Sequence, residues 1–99
     1  MTDRIERLRE AIRQLHGCEP SHVGAFPVIE RFKGKIVWQG LVEMFDIQGH
    51  PTAKRCYAWS HENDDGSHRS VAVLELPPVY SPVTAVRASI VSDMKSKRD

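Results

Sequence analysis

The chain contains few cysteines, no long apolar run and almost no net charge. Its 99 residues include two cysteines, which is too few for a disulfide framework. No apolar stretch approaches the roughly 20 residues that a membrane-spanning helix needs, and the charged N-terminal residues form no signal-peptide core. The formal net charge of +1 provides no general attraction to nucleic acid or anionic lipid. We therefore expect a reduced, cytoplasmic protein that does not bind membranes.

The composition is that of one small globular domain, which we expect to span residues 1–99. Hydrophobic residues make up 40% of the chain and charged residues 27%. A chain of this size buries roughly 60–65% of the surface that it exposes when unfolded, so its core is adequate but small. Covering a further apolar face by dimerisation would therefore stabilise it.

Amphipathic helices are predicted at both ends of the chain. In residues 3–16, apolar side chains recur at helical spacing, with Thr2 as the N-cap and Gly17 as the terminating residue. Residues 82–96 form the second helix, with Ser81 as its N-cap and a proline in the first turn, where a missing N–H costs nothing. Each helix has an apolar stripe that needs a surface to pack against.

Between the helices, β-type segments alternate with turn signals. Residues 17–26 are predicted to be a connector. Glycine and proline then interrupt the chain at residues 33–35 and 48–51, and Asp65 with Gly66 is the strongest hairpin signal. The strands are predicted at 27–33, 35–47, 54–62 and 69–76, within a sheet of residues 27–76. The expected fold class is α+β, a four-stranded antiparallel meander with an N-terminal and a C-terminal helix (α-β-β-β-β-α).

Turn geometry predicts the register of this sheet. With Asp65 and Gly66 at the centre of a two-residue primed turn, Trp59 lies opposite Ala72. The preceding turn places Met44 opposite Tyr57, and it places Asp46 opposite Arg55 as an ion pair at the edge. One face then carries Trp38, Val42, Met44, Tyr57, Trp59, Ala72, Leu74 and Leu76, and the other carries Val37, Leu41, Phe45, Ile47, Cys56, Ala58, Val71 and Val73.

Both predicted faces are apolar, which is unusual for an antiparallel sheet with one wet side. Two arrangements would cover them. Either the two helices take opposite faces, or both helices take one face and a second subunit covers the other. The second arrangement predicts a homodimer or a complex with an unidentified protein.

Basic and aromatic side chains near the turns are the candidates for a binding surface. A sheet that presents aromatic rings beside cations is one way of holding single-stranded nucleic acid, so this is an alternative function. Large aromatic side chains on a sheet are nevertheless more often part of the core. The candidates for contacts with protein or nucleic acid are Arg31, Lys33, Lys35, Trp38, His50, Lys54, Arg55, Tyr57 and Trp59.

A zinc-stabilised domain is a further alternative, because His16, Cys18 and His22 supply three potential ligands within seven residues. The spacing matches no standard zinc knuckle, and we expect no metal or other cofactor.

No catalytic residue is predicted. Cys56 is expected in the middle of an apolar strand, where a thiol is normally a small core residue. Glu43 and Glu75 are expected at solvated strand ends rather than as an acid–base pair. Arg87 interrupts the apolar stripe of the second helix, and it either extends to solvent or forms an ion pair with Glu43 or Glu75.

One run of residues resembles a group of short uncharacterised bacterial proteins. The run is Trp38-x-Gly40-x-Val42-Glu43-x-Phe45, then Gly49-His50-Pro51, then Tyr57-Ala58-Trp59. The resemblance implies a bacterial or mobile-element origin and no known activity. The small size and the lack of enzyme motifs suggest a non-enzymatic binding protein, such as a regulatory subunit or an inhibitor from a phage or mobile element.

Overall fold

The chain forms a helix, four antiparallel strands and a second helix, as predicted for the α+β class. The computed structural model describes residues 3–62 and 65–96, without the side chains of 93–96. The strands form one sheet in the order β1-β2-β3-β4. The elements are α1 (Arg4–His16), β1 (Glu19–Phe32), β2 (Lys35–Gln48), β3 (Arg55–Glu62), β4 (His68–Leu74) and α2 (Pro82–Ser96).

Local capping contacts begin both helices and end α1. The N-cap of α1 is Asp3, whose carboxylate accepts a hydrogen bond of 2.7 Å from the backbone N–H of Glu6. The predicted cap, Thr2, lies outside the described residues. Gly17 ends α1 as predicted, with a φ of 66° that favours glycine. Before α2, the hydroxyl of Ser81 accepts from the backbone N–H of Thr84 at 3.1 Å, which confirms the predicted cap.

The predicted connector at residues 17–26 is wrong, because β1 already begins at Glu19. Pro20 and Gly24 indicated a loop, but β1 is an edge strand of the sheet. A proline is tolerated there because its missing N–H can point away from the neighbouring strand. A register shift between His22 and Gly24 accommodates Val23 as an extra residue.

The turn at Lys33 and Gly34 is confirmed and forms a tight hairpin between β1 and β2. Both residues have positive φ, 53° and 79°, as a two-residue primed turn requires. The register between β2 and β3 is also confirmed. Asp46 lies opposite Arg55, and the ion pair between them measures 3.2 Å.

The predicted register between β3 and β4 is wrong by one residue. Trp59 lies opposite Val71, and Glu62 lies opposite His68, so the connection between the two strands is longer than two residues. Asp65 is not the centre of a two-residue turn: its carboxylate accepts from the backbone N–H and the hydroxyl of Ser67. These two bonds lower the pKa of Asp65. The shift by one residue moves every side chain of β4 to the opposite face of the sheet.

The two helices cover opposite faces of the sheet, which is the first of the two predicted arrangements. On one face α1 packs on a cluster that includes Leu8, Ile12, Cys18, Phe45, Ile47, Cys56 and Ala58, joined at its margin by Ala72, Leu74 and Leu76. On the other face α2 packs on a cluster that includes Val28, Val42, Met44, Tyr57, Trp59, Ala85 and Val86, joined by Trp38, Val71 and Val73. We call these the α1 face and the α2 face.

No helix in the described part of the chain is both long enough and apolar enough to cross a membrane.

Candidate protein-binding surface

The hairpin of β1 and β2 extends beyond the rest of the sheet. Its two strands pair along their whole length, up to Phe32 opposite Lys35. By contrast, β2 pairs with β3 only from Asp46 opposite Arg55 to Glu43 opposite Ala58. Residues 26–42 therefore project past the point where the two hairpins separate. We call this projecting part, together with the three residues of β1 that precede it, the arm (residues 23–42).

The arm carries an unusual share of exposed apolar surface. In the described chain, seven of the eleven exposed large apolar side chains belong to it, with exposed fractions between 40% and 55%. Monomeric proteins rarely expose large contiguous apolar patches without a function. The seven residues are Val23, Phe26, Ile29, Phe32, Ile36, Val37 and Leu41.

On the α1 face, the arm has no helix over it. The register and the alternation of strand side chains place five exposed residues here. The helix α1 packs mainly over β1, β3 and β4 instead. The five residues, which we call the uncovered face, are Ala25, Pro27, Ile29, Gln39 and Leu41.

On the α2 face, the arm and α2 enclose a groove of about 570 Å³. Apolar side chains from both elements line it, beside the carboxylate of Glu30, which is only 9% exposed. Arg87 forms its ion pair with this carboxylate, at 3.2 Å. The predicted pairing of Arg87 with Glu43 or Glu75 is therefore wrong, because α2 packs beside β1 and Glu43 points to the α1 face.

Glu43 is a buried carboxylate at the base of the arm. It is 1% exposed, so the expectation that it lies at a solvated strand end is wrong. His22 Nε2 lies 2.7 Å from one of its oxygens, and a guanidinium nitrogen of Arg4 lies 2.8 Å from the other. Two partners offset the cost of burying the charge. This cluster attaches the start of α1 to the arm.

The three proposed zinc ligands do not converge. His16 donates from Nε2 to the backbone carbonyl of Ala72 at 3.0 Å, and so ties α1 to the edge strand β4. Cys18 is buried and donates to the carbonyl of His16, while His22 contacts Glu43. Among the described residues, no three metal-ligating side chains lie together in a suitable group.

Two buried groups have strongly raised pKa values, the thiol of Cys56 and the hydroxyl of Tyr57. Burial, with a smaller effect of Cys18, raises the pKa of the Cys56 thiol to about 12, so the thiol is neutral and unreactive. Burial, and then the hydrogen bond that its hydroxyl donates to Glu75, raises the pKa of Tyr57 to about 12. Both effects stabilise the neutral forms in the core.

The residues proposed to stack on nucleic acid are not available for stacking. Tyr57 and Trp59 are each 2% exposed. Trp38 is half-buried, and its ring meets Trp59 edge to face, with centroids 5.8 Å apart. Tyr57 and Trp59 are thus core residues of the α2 face.

The basic candidates do not form one patch. Arg31, Lys33 and Lys35 are exposed at the tip of the arm. Lys54 and Arg55 lie beside the opposite end of β2, where β3 begins. A continuous path for a phosphate backbone is therefore missing among these residues.

His50 organises the connection between the hairpins. Its Nδ1 accepts from the backbone N–H groups of Thr52, at 3.1 Å, and Ala53, at 2.8 Å. His50 therefore has a local structural role, and its predicted binding role stays a prediction.

Sequence reasoning missed the arm and the cluster around Glu43. The unequal lengths of the predicted strands at 35–47 and 54–62 contained the first signal, since a longer strand must extend past a shorter neighbour. An acidic residue within the apolar run of β2 contained the second.

Comparison with protein-family models, with curated proteins and with solved structures finds no match to the chain. The resemblance to short bacterial proteins stays a prediction.

Proposed function

We propose that the chain is a non-enzymatic protein-binding module whose contact surface is the arm, with a second copy of the chain as its first partner. The observation that carries the proposal is the concentration of exposed apolar side chains on residues 23–42. Burying such a surface is favourable by about 25 cal/mol per Å². A regulatory subunit or an inhibitor of a larger complex would use a surface of this kind.

The uncovered face supports self-association in particular. Its residues include no charged side chain, so two copies can approach without electrostatic repulsion. Pro27 lacks a backbone N–H and is opposite Leu41 in the register. Proline on an edge strand discourages edge-to-edge pairing, which favours contact between faces over extension of the sheet.

Light scattering over a concentration series tests the proposal. We expect a dimer of the 11.2 kDa chain, which Ile29→Ser converts to a monomer by placing a hydroxyl in the apolar contact. The matched control is Leu15→Ser, since Leu15 is 60% exposed on α1, outside the arm. A dimer that survives Ile29→Ser, or that is lost with Leu15→Ser, contradicts the assignment to the arm.

A monomer at all concentrations would show that the second-copy part is wrong. Binding to another protein is then tested by photocrosslinking in a bacterial lysate, with benzoylphenylalanine at position 29 and, as the control, at position 15. A specific crosslink from position 29 alone supports the arm as a contact surface. The absence of a crosslink from position 29 overturns the proposal.

A further inference from the structure

The cleft between the two hairpins has a backbone feature that the proposed function does not use. The backbone N–H of Ile47 donates to the carbonyl of Lys54 at 3.0 Å, so these residues form a hydrogen-bonded pair. Hydrogen-bonded pairs recur at every second position of an antiparallel ladder. Glu43 opposite Ala58 is the last such pair between β2 and β3.

In the same register, the next two hydrogen-bonded pairs would join Leu41 to Ser60 and Gln39 to Glu62. Neither pair forms, although all four residues belong to strands and are part of the described chain. Their backbone N–H and C=O groups point from β2 and from β3 into the space between the hairpins. The pairing with β1 agrees with this direction. Leu41 is opposite Pro27, which has no N–H to donate, so the backbone groups of Leu41 point away from β1 and into the cleft.

These four residues line a cleft of about 330 Å³, which is within the size range of ligand sites. Trp38 and Gly40 lie on its α2 side, where the Trp38 ring lies over Gly40 and contacts Trp59. Arg4 and His68 border it on the α1 side. The cleft thus has two walls of unpaired strand backbone, an aromatic side and a side with hydrogen-bond donors.

We propose that this cleft binds an extended peptide strand from a partner protein, which pairs with β2 on one side and with β3 on the other. The free backbone groups recur at every second residue on both walls. This spacing matches the repeat of an extended peptide strand, which a compact ligand does not have. The ring of Trp38 leaves room only for small peptide side chains on the α2 side. On the α1 side, Arg4, His68 and Glu62 favour a polar side chain. The inference rests on the proposed protein-binding function. The cleft shares Gln39 and Leu41 with the uncovered face, but it uses their backbone groups at the edge of β2 and not their side chains.

A phage-displayed library of short linear peptides, panned on the purified full chain, is the probe. We expect enriched peptides that alternate small residues with polar ones, and that change tryptophan fluorescence on binding. Amide hydrogen exchange of the wild-type chain is the direct measurement. The amides of Gln39, Leu41, Ser60 and Glu62 should exchange rapidly in the free chain and become protected with the synthetic peptide.

Proline variants locate the binding site. Leu41→Pro and Ser60→Pro each remove a cleft N–H that has no partner strand, and each should weaken binding by about tenfold, the equivalent of one lost hydrogen bond. Ser70→Pro is the matched control, since Ser70 lies in the edge strand β4 opposite Ser60, in a pair that is not hydrogen-bonded, so its N–H points to the outer edge of the sheet. It should leave peptide binding unchanged. Circular dichroism verifies that each variant is folded, and the exchange experiment needs no variant.

Several results would overturn the inference. Protection of the Leu41 and Ser60 amides in the free chain would mean that the hairpins pair with each other in solution. Failure to enrich any peptide, or equal binding by Ser60→Pro, would exclude the cleft as the site. A dimer that Ser60→Pro abolishes and Ile29→Ser does not would identify a second copy as the occupant. Loss of arm-mediated association with Ile29→Ser, while peptide binding persists, would support the cleft and the arm as separate sites.

Discussion

The two hairpins of this sheet differ in what covers them. In β3, residues 56–59 are all buried, because α1 and α2 pack on opposite faces of the β3–β4 hairpin. The β1–β2 hairpin has comparable apolar residues, but only its base lies between the helices. The arm beyond the base exposes its apolar side chains. Similar strand chemistry therefore serves stability in one hairpin and is left available for contacts in the other.

Strand length causes the difference. The strands of the first hairpin have 14 residues each, whereas β3 and β4 have 8 and 7. Both helices cover the shared region, and only α2 also reaches the arm, on the α2 face, where Arg87 pairs with Glu30. The buried Glu43 marks the boundary, since its contacts with His22 and Arg4 hold α1 at the base of the arm.

The largest effect that separates the two hairpins is expected from truncation of one apolar residue in each. Trp59→Ala should lower the free energy of unfolding by about 3–5 kcal/mol, because Trp59 is 2% exposed in the core of the α2 face. Ile29→Ala should change it by less than about 0.5 kcal/mol, because Ile29 is 48% exposed. Urea unfolding measures both. A loss above about 1 kcal/mol with Ile29→Ala in a monomer would show that the arm is packed after all.

The next largest effect on stability is expected at His50, in the connection between the two hairpins. His50→Ala removes the acceptor of two backbone N–H groups and should cost about 1–2 kcal/mol. His50→Asn should restore most of this loss, because the Asn side-chain oxygen occupies nearly the position of Nδ1 and accepts from the same region of backbone. Urea unfolding of the two variants compares them. Equal losses for Ala and Asn would mean that the ring packing of His50 matters, and that its hydrogen bonds do not.

The order of helices and strands could be predicted from the sequence because the signals for each element are local. Apolar spacing identified both helices, and the Lys33–Gly34 and Gln48-to-Pro51 punctuation separated the strands correctly. The first half of β1 was missed because Pro20 and Gly24 have the same composition in a loop and in a bulged edge strand. Only the neighbouring strand distinguishes the two, and that contact is not local.

The register of β3 and β4 was missed for a different reason. Asp65 and Gly66 favour a two-residue turn, but the Asp65 carboxylate binds Ser67 and belongs to a longer connection. Because β4 is apolar at both parities, a shift by one residue still gave two apolar faces, and the pattern could not reveal the error. The arm and the cleft could not be predicted, because both begin where β2 and β3 separate. Tertiary packing sets that point, and no single sequence motif marks it.

The smallest effect concerns the pH dependence of the packed hairpin. The pKa of Tyr57 is raised from 10.0 to about 12 in the folded chain, first by burial and then by Glu75. The unfolded chain therefore releases this proton at lower pH than the folded chain. The stability that results is complete below pH 10 and is lost as the pH rises to about 12.

Tyr57→Phe should remove the stability that Tyr57 contributes below pH 10. The stability of the variant should therefore fall less steeply than that of the wild type between pH 10 and about 12. Burial also raises the pKa of Cys56, from 9.0 to about 12, so both proteins retain some alkaline loss. Thermal melting at a series of pH values measures the difference between the two slopes. Tyr80→Phe is the control, because Tyr80 is 73% exposed and should follow the wild type. Parallel curves for Tyr57→Phe and the wild type would show that the Tyr57 hydroxyl is solvated, and that the second hairpin is less tightly packed than its burial indicates.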